Sequence, residues 1–322
     1  MSFGGQALSP STVLRTSSVR RNVKGVLVLA GATASGKTEL AIALAQRFNA
    51  EIIGADSRQI YKGMPIGTAA PSAAQRAAVP HHLVEFIEPA DRYSAAQFAQ
   101  DALDCITDIH ARGKRALVVG GTGFYIRTLT GAVTLAPPAE MELRRRLSYE
   151  ARIHEPAFLH QWLAARDPQR SKAIAPEDRY RVLRALEISL MRNERRPGNA
   201  NDSLASRGVT FVKVFLDVPE AILERRIEER VDAMLRTGLI EEAEEVGADA
   251  VAASAVGYLQ ALAYLRGWQT YAELSDAVCR ATRRYAKRQR TWFRSEPQTV
   301  WLRSDDPLRD VSNIVQEKLA WA

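Results

Sequence analysis

The chain has 322 residues, 46% of them hydrophobic, enough for one large core or two modest ones, and reads as a globular protein. Lys and Arg outnumber Asp and Glu by 44 to 37, a net +7 that permits a polyanionic partner without requiring one. Two cysteines, Cys105 and Cys279, are too few for a disulfide framework or a cysteine-rich zinc site, and no apolar run approaches the ~20 residues of a membrane span, so a reducing, cytoplasmic setting with no membrane partner is expected.

Residues 1–24 contain Ser and Arg, no acidic residue and no apolar block. That leaves an organellar transit peptide or a disordered extension of a cytoplasmic protein, and the shortness and weak amphipathicity favour the second. The run Gly25-Val26-Leu27-Val28-Leu29-Ala30 then reads as a strand, and Leu40, Leu44 and Phe48 fall at helical spacing. Between them Gly31-Ala32-Thr33-Ala34-Ser35-Gly36-Lys37-Thr38 fits the pattern G-x-x-x-x-G-K-[ST]. A loop of that kind between strand and helix turns backbone N–H groups onto an anion. Lys37 reaches the outer phosphate and the Thr38 hydroxyl can ligate magnesium.

A second strand is predicted over Ala50–Asp56, with Asp56 at its carboxyl end, where open α/β sheets place ligands. This carboxylate could hold magnesium, take a proton or cap the next helix as an Asx residue. The adjacent His81 and His82 have no carboxylate or Cys at metal spacing and read as loop packing or hydrogen bonding. Residues 95–112 are predicted helical, and Arg115–Val119 is a third strand running into Gly120-Gly121-Thr122-Gly123. The alternation predicts a doubly wound parallel sheet of the P-loop NTPase-like kind. Gly120-Gly121 stands where such NTPases usually carry a magnesium-holding aspartate, which weakens an ATPase reading. Thr122 could bind an anion with its hydroxyl and neighbouring N–H groups, or belong to a plain turn.

From about Pro137 to Arg207 strand signals stop and helical, polar text follows, which predicts a helical insertion over 137–207 between core segments 25–136 and 208–322, with Pro197–Asn201 marking its exit. Phe211–Asp217 reads as a strand that closes the sheet, followed by a long helix. On that helix Arg226 and Arg230 share a face; they could clamp a phosphate, although an exposed helix laced with Glu–Arg pairs is the favoured reading. In a last helix, from about Leu274 to Phe293, no acidic residue occurs from Cys279 through Arg294, and Arg280, Arg283, Arg284, Lys287, Arg288, Arg290 and Arg294 accompany Tyr285, Gln289 and Trp292. Seven cations with interleaved aromatics read as a nucleic-acid surface, and Arg144–Arg146 with Arg179, Arg181 and Arg184 form a second basic area.

These motifs together resemble the tRNA dimethylallyltransferases, in their bacterial form. The similarity rests on Gly31–Thr38, Asp56–Ala69, His81–Leu83, Tyr93–Ala95, Gly120–Tyr125, Asp178–Glu187, Val256–Tyr258 and Ala286–Phe293, in the family's order over about residues 25 to 303. Ala70 replaces a lysine found in many members, and Glu245–Ser254 is short and alanine-rich. The resemblance implies transfer of the dimethylallyl group of dimethylallyl diphosphate to N6 of the adenosine 3′ to the anticodon. It implies Asp56 as base, and Thr122 and Arg230 as the groups bridging diphosphate and nucleophile. Gly31, Thr33, Ala34, Ser35, Gly36, Lys37, Thr38 and Arg226 would hold the diphosphate, with Mg2+ on Thr38. Ser57, Arg58, Gln59, Arg144, Arg181, Arg184, Gly257, Tyr258, Lys287, Arg288, Gln289 and Trp292 would contact the tRNA anticodon stem-loop, whose stem the insertion would grip. The enzyme is expected to act as a monomer. An adenylate isopentenyltransferase, a P-loop small-molecule kinase and a non-catalytic RNA-binding protein are the competing readings.

Overall fold

The computed structural model describes residues 25–133, 135, 140–191 and 202–322; the predicted leader, the start of the insertion at Pro137 and the exit at 197–201 lie outside them. The chain opens with β1 (Val26–Gly31), α1 (Lys37–Phe48) and β2 (Ala50–Gly54), then the short α2 (Pro65–Thr68), α3 (Ala73–Ala78) and β3 (His81–His82). After α4 (Ala95–Ala111), β4 (Arg115–Gly120) and α5 (Gly123–Thr130) comes a helical stretch of α6 (Met141–Ile153), α7 (Pro156–Arg166), α8 (Pro168–Ala173) and α9 (Arg179–Met191). The chain returns as β5 (Phe211–Leu216), α10 (Glu220–Thr237), α11 (Leu239–Val246), α12 (Tyr258–Leu265), α13 (Tyr271–Arg294), β6 (Thr299–Leu302) and α14 (Pro307–Leu319).

All strand pairs are parallel, in the order β3-β2-β4-β1-β5-β6. Alternation along β1 shows why both faces need cover. Val26, Val28 and Ala30 pack on one side with Phe98, Leu103 and Phe293, while Leu27 and Leu29 pack on the other with Leu44, Val311 and Trp321. The phosphate loop therefore emerges from an interior strand of a doubly covered sheet.

Two sequence expectations are corrected here. The Phe211–Asp217 run does not close the sheet: β5 pairs along the full length of β1, and β6 forms the edge beyond it. Because β5 lies against β1, Asp217 ends up beside the phosphate loop. His81 and His82 form a two-residue edge strand on β2 instead of a loop, while the hydrogen bonding expected of them is present: His82 Nε2 lies 2.8 Å from Glu51 Oε2 and His81 Nδ1 2.7 Å from the Val79 carbonyl.

Helices α6 to α9 pack around a core of their own, built from Leu147, Ala151, Leu159, Leu163, Val182, Ala185 and Leu186. Leu204 instead is fully buried in the main core and its N–H donates to the Leu129 carbonyl, so residues 202–207 sit with the α/β part rather than with these helices. Among the described residues no helix is long and apolar enough to cross a membrane.

Candidate active site

Gly36 ends the phosphate loop in the left-handed region, φ 85°, as the N-cap of α1, and Ala34 holds φ 63° within it. The Lys37 ammonium donates to the Ala32 carbonyl at 2.7 Å, folding back over the loop. Burial pulls its pKa down to about 8, opposed by the Asp56 carboxylate and reinforced by Arg230. The Ser35 hydroxyl is buried and has no hydrogen-bond partner among the described residues. An unpaired hydroxyl and an ammonium whose charge is costly are both groups that a bound anion would relieve.

Two arginines reach this loop from α10. Arg226 Nη1 donates to the Ser35 carbonyl and Arg230 Nη1 to Thr33 Oγ1, each at 3.3 Å. The expectation of an exposed, self-paired helix is corrected: Arg225 and Glu229 pair along the surface, but one turn's spacing carries Arg226 and Arg230 to the loop. Burial pushes the Arg230 guanidinium below its ordinary value.

On the other flank, the end of β4 explains the missing aspartate. A Cβ on Gly120 would lie 2.0 Å from the Ala55 carbonyl oxygen, so the strand end passes too close to the β2 connection for any side chain. The close approach serves the next residues. Thr122 N–H donates to that same Ala55 carbonyl, and Thr122 Oγ1 accepts the Ser57 N–H at 2.9 Å. Among the described residues Asp56 Oδ1 accepts the Arg58 N–H alone, at 2.9 Å, a local turn that leaves the rest of the carboxylate facing a cavity. Thr122 and Asp56 therefore belong to one hydrogen-bonded unit, with Thr122 orienting the segment that carries Asp56.

That cavity, about 210 Å³, is lined by Thr33 and Arg230 on the loop side and by Asp56, Ser57, Arg58 and Arg288 on the other, with Val231, Met234 and Val278 forming an apolar wall. A larger cleft, about 890 Å³, opens on the opposite side of the loop at Gly36, Arg226, Asp217 and Arg303. Arg230 lines both.

Several residues assigned to RNA contact have other work. Tyr258 is fully buried and its hydroxyl donates to Glu242; Gly257 is also buried, at φ 99° before α12. Gln289 is buried and bridges the site, its Oε1 accepting the Thr33 N–H at 2.8 Å and its Nε2 donating to the Gly121 carbonyl at 3.1 Å. The Trp292 ring lies under Gly123, where a Cβ would meet it at 2.1 Å, with the Arg127 guanidinium 4.3 Å from its centre. Arg144 and Arg184 both pair with the buried Glu187. Gln289 and Trp292 fall at helical spacing on one face of α13, and that face points inward. Gln59 is divided, its amide nitrogen donating to the Thr68 and Ala69 carbonyls. Lys287 and Arg288 remain exposed on α13, and Arg181 is exposed beside Asp178. The seven-cation stripe is also thinner than it reads, since Arg280 pairs with Asp276, Arg283 with Glu228 and Arg290 with Asp217.

Sequence reasoning gave Tyr285 only a place among the aromatics of the basic helix and missed Glu242 altogether. Tyr285 lines the cavity beside Thr122 and Asp56, and burial raises its phenol pKa. Glu242 hides in the acidic run Glu241–Glu245; its sharing of a helix face with Leu239, Ala243 and Val246 was the available signal.

Comparison with known proteins agrees with this geometry. The family model described as IPP transferase matches residues 59–296, and that described as isopentenyl transferase matches residues 24–82. The chain is 44% identical over 283 residues to a tRNA dimethylallyltransferase of Anaeromyxobacter dehalogenans, covering 86% of this chain and 94% of the relative. It is 39% identical over 298 residues to one of Geobacter sulfurreducens, covering 91% and 96%. Among solved structures, the tRNA isopentenylpyrophosphate transferase of Bacillus halodurans superposes with a TM-score of 0.67 at 35% identity, covering 92% of this chain and 97% of that one. A eukaryotic dimethylallyltransferase described as acting on tRNA gives 0.72 at 27% identity, covering 91% and 78%. With relatives this similar over nearly its whole length, and with a phosphate loop and Asp56 opening onto one cavity, the chain belongs to the tRNA dimethylallyltransferase family.

Proposed function

We propose that this chain transfers the dimethylallyl group of dimethylallyl diphosphate to N6 of the adenosine 3′ to the anticodon of tRNA, releasing diphosphate. The observation that carries the reading is that Asp56, the loop residue Thr33 and Arg230 of α10 line one cavity of about 210 Å³. In the reaction the bond between the allylic carbon and the bridging oxygen breaks and its electron pair leaves on the diphosphate. The N6 lone pair forms the new C–N bond, and the N6 proton passes to Asp56. Lys37, Arg226, Arg230 and the loop N–H groups take up the charge that develops on the departing diphosphate.

Thr38, in the first turn of α1, has a hydroxyl with no side-chain hydrogen bond among the described residues, and no group of three His, Cys, Asp or Glu among those residues is placed to hold a metal alone. That donor set fits magnesium, which keeps waters and takes its other ligands from phosphate oxygens. When bound, the ion would add positive charge at the leaving group.

The anticodon loop suits such a pocket because an unstacked base leaves a loop at lower cost than a duplex. Arg58, Lys287 and Arg288 would meet the loop and the exposed side of α6 to α9 its stem. Purified protein with magnesium, labelled dimethylallyl diphosphate, and either tRNA or AMP tests the reading. Label on tRNA alone is expected; label on AMP alone, or on neither, overturns it.

A further inference from the structure

One wall of the cavity is α2, Pro65–Thr68, whose residues Gly67 and Thr68 line the cavity together with Ala69. Four residues make a single turn, too short to be stable alone. Its N-cap is Met64, whose side chain makes no capping hydrogen bond. Pro65 at the first position has no N–H, which leaves the Ile66 and Gly67 N–H groups to be satisfied from outside.

Both are satisfied by one carboxylate 175 residues away in sequence. Glu242 Oε2 accepts the Ile66 N–H and Oε1 the Gly67 N–H, each at 2.8 Å. Oε1 also accepts the Tyr258 hydroxyl, which lies 3.2 Å from the Met64 carbonyl. The Tyr258 ring packs on Gly67 so closely that a Cβ there would sit 2.5 Å from it. Burial and the Glu242 carboxylate both raise the Tyr258 pKa, so the phenol stays a donor. At the other end of the turn Gln59, three residues after Asp56, donates to the Thr68 and Ala69 carbonyls at 3.1 and 2.8 Å. The turn is thus capped at its start by α11 and at its end by the segment that carries Asp56. Ala255 and Val256, just before Tyr258, line the same cavity.

We infer that Glu242, seconded by Tyr258, is a positioning residue that fixes the acceptor-base wall of the cavity relative to Asp56. This rests on the reading of that cavity given under Proposed function. Arg226 and Arg230 hydrogen-bond to the phosphate loop and, among the described residues, not to Glu242 or Tyr258, so acceptor and donor should respond differently when the brace is weakened.

The test is the full-length E242Q variant, in which an amide NH2 replaces one of the accepting oxygens. Steady-state transfer to tRNA, the dissociation constant for dimethylallyl diphosphate, the melting temperature and amide exchange at Ile66 and Gly67 are measured together. A drop of about tenfold or more in kcat/KM for tRNA is expected, with faster exchange at both amides and donor affinity within about twofold of the original. Y258F, which keeps the ring on Gly67, should show the same pattern at about threefold. Faster exchange with unchanged transfer, or donor and tRNA affinity falling together, overturns the inference. A variant too unstable to assay leaves Y258F to decide by the same criteria. If the unaltered protein transfers no label to tRNA, the functional reading fails instead, and this brace is left without the role given to it.

Discussion

Two aspartates stand just past the carboxyl ends of parallel strands near the phosphate loop, and only one is available for chemistry. Asp217 follows β5, directly beside β1, and lines the cleft that also holds Gly36. Yet its Oδ1 accepts from Arg290 at 2.9 Å and its Oδ2 from Arg303 at 2.6 Å. Asp56 follows β2, two strands away from β1, and accepts a single N–H of its own turn. A carboxylate whose two oxygens are each held by a guanidinium has little accepting capacity left. Position at a strand end is therefore not enough. What separates the two is how many cations the surrounding segments bring to each.

The largest effect should come from removing the available one. D56A is expected to lower kcat for transfer by roughly 10²- to 10⁴-fold, the range for loss of a general base. Binding of tRNA should stay within about tenfold, or about 1.4 kcal/mol. Single-turnover transfer and fluorescence anisotropy check the two halves, and a collapse of tRNA binding would make Asp56 an anchor instead.

D217N reverses the pattern. Arg290 is largely buried and would lose a charged partner, so a stability loss of about 1.5–3 kcal/mol is expected in denaturant unfolding, the value of a hydrogen bond to a charged group. Transfer per folded molecule should fall less than tenfold. If D217N costs as much kcat as D56A, the division between the two aspartates fails.

The α/β core was legible because each strand and helix carries its own period: β1, α1, β2, α4 and β4 all fall where hydrophobic spacing and glycine punctuation put them. Asp56 and the loop were legible for the same reason, since motif and element coincide. Strand order was not, because nothing local to Phe211–Leu216 says that it pairs with β1 rather than forming an edge. Nor was the division of the basic residues. A charge pattern on one helix cannot show that Arg290 meets Asp217 or that Arg144 and Arg184 meet Glu187, as those partners lie 73, 43 and 3 residues away and only the last is local. Side chains with long-range partners, Gln289 and Glu242 above all, are what periodicity leaves undetermined.

A third carboxylate shows how a fully engaged group behaves with pH. Glu51, on β2, is buried and meets Arg112, Lys114 and His82, and the Arg112 hydrogen bonds hold it well below its ordinary 4.5. Its folded pKa being depressed, the unfolded chain binds more protons as pH falls past about 4.5, so the stabilisation present above that pH is lost progressively below it. E51Q should lower stability at pH 7 and flatten the acid limb, so that the two unfolding midpoints converge towards pH 3. Midpoints that stay parallel would show that Glu51 keeps the same protons folded and unfolded.

The smallest effect separates two arginines two residues apart on α13. Arg288 is exposed and lines the cavity mouth, whereas Arg290 is held by Asp217. If Arg288 meets an RNA phosphate, R288A weakens tRNA binding by a similar factor across tRNA sequences and reduces the slope of log K against log salt by about one. R290A should leave that slope unchanged and act through stability, because its charge already has a partner. Anisotropy titrations at several salt concentrations compare the slopes directly. Equal changes for both variants would mean that the Asp217 pair opens when RNA binds, and that the contrast between the two aspartates holds only for the free protein.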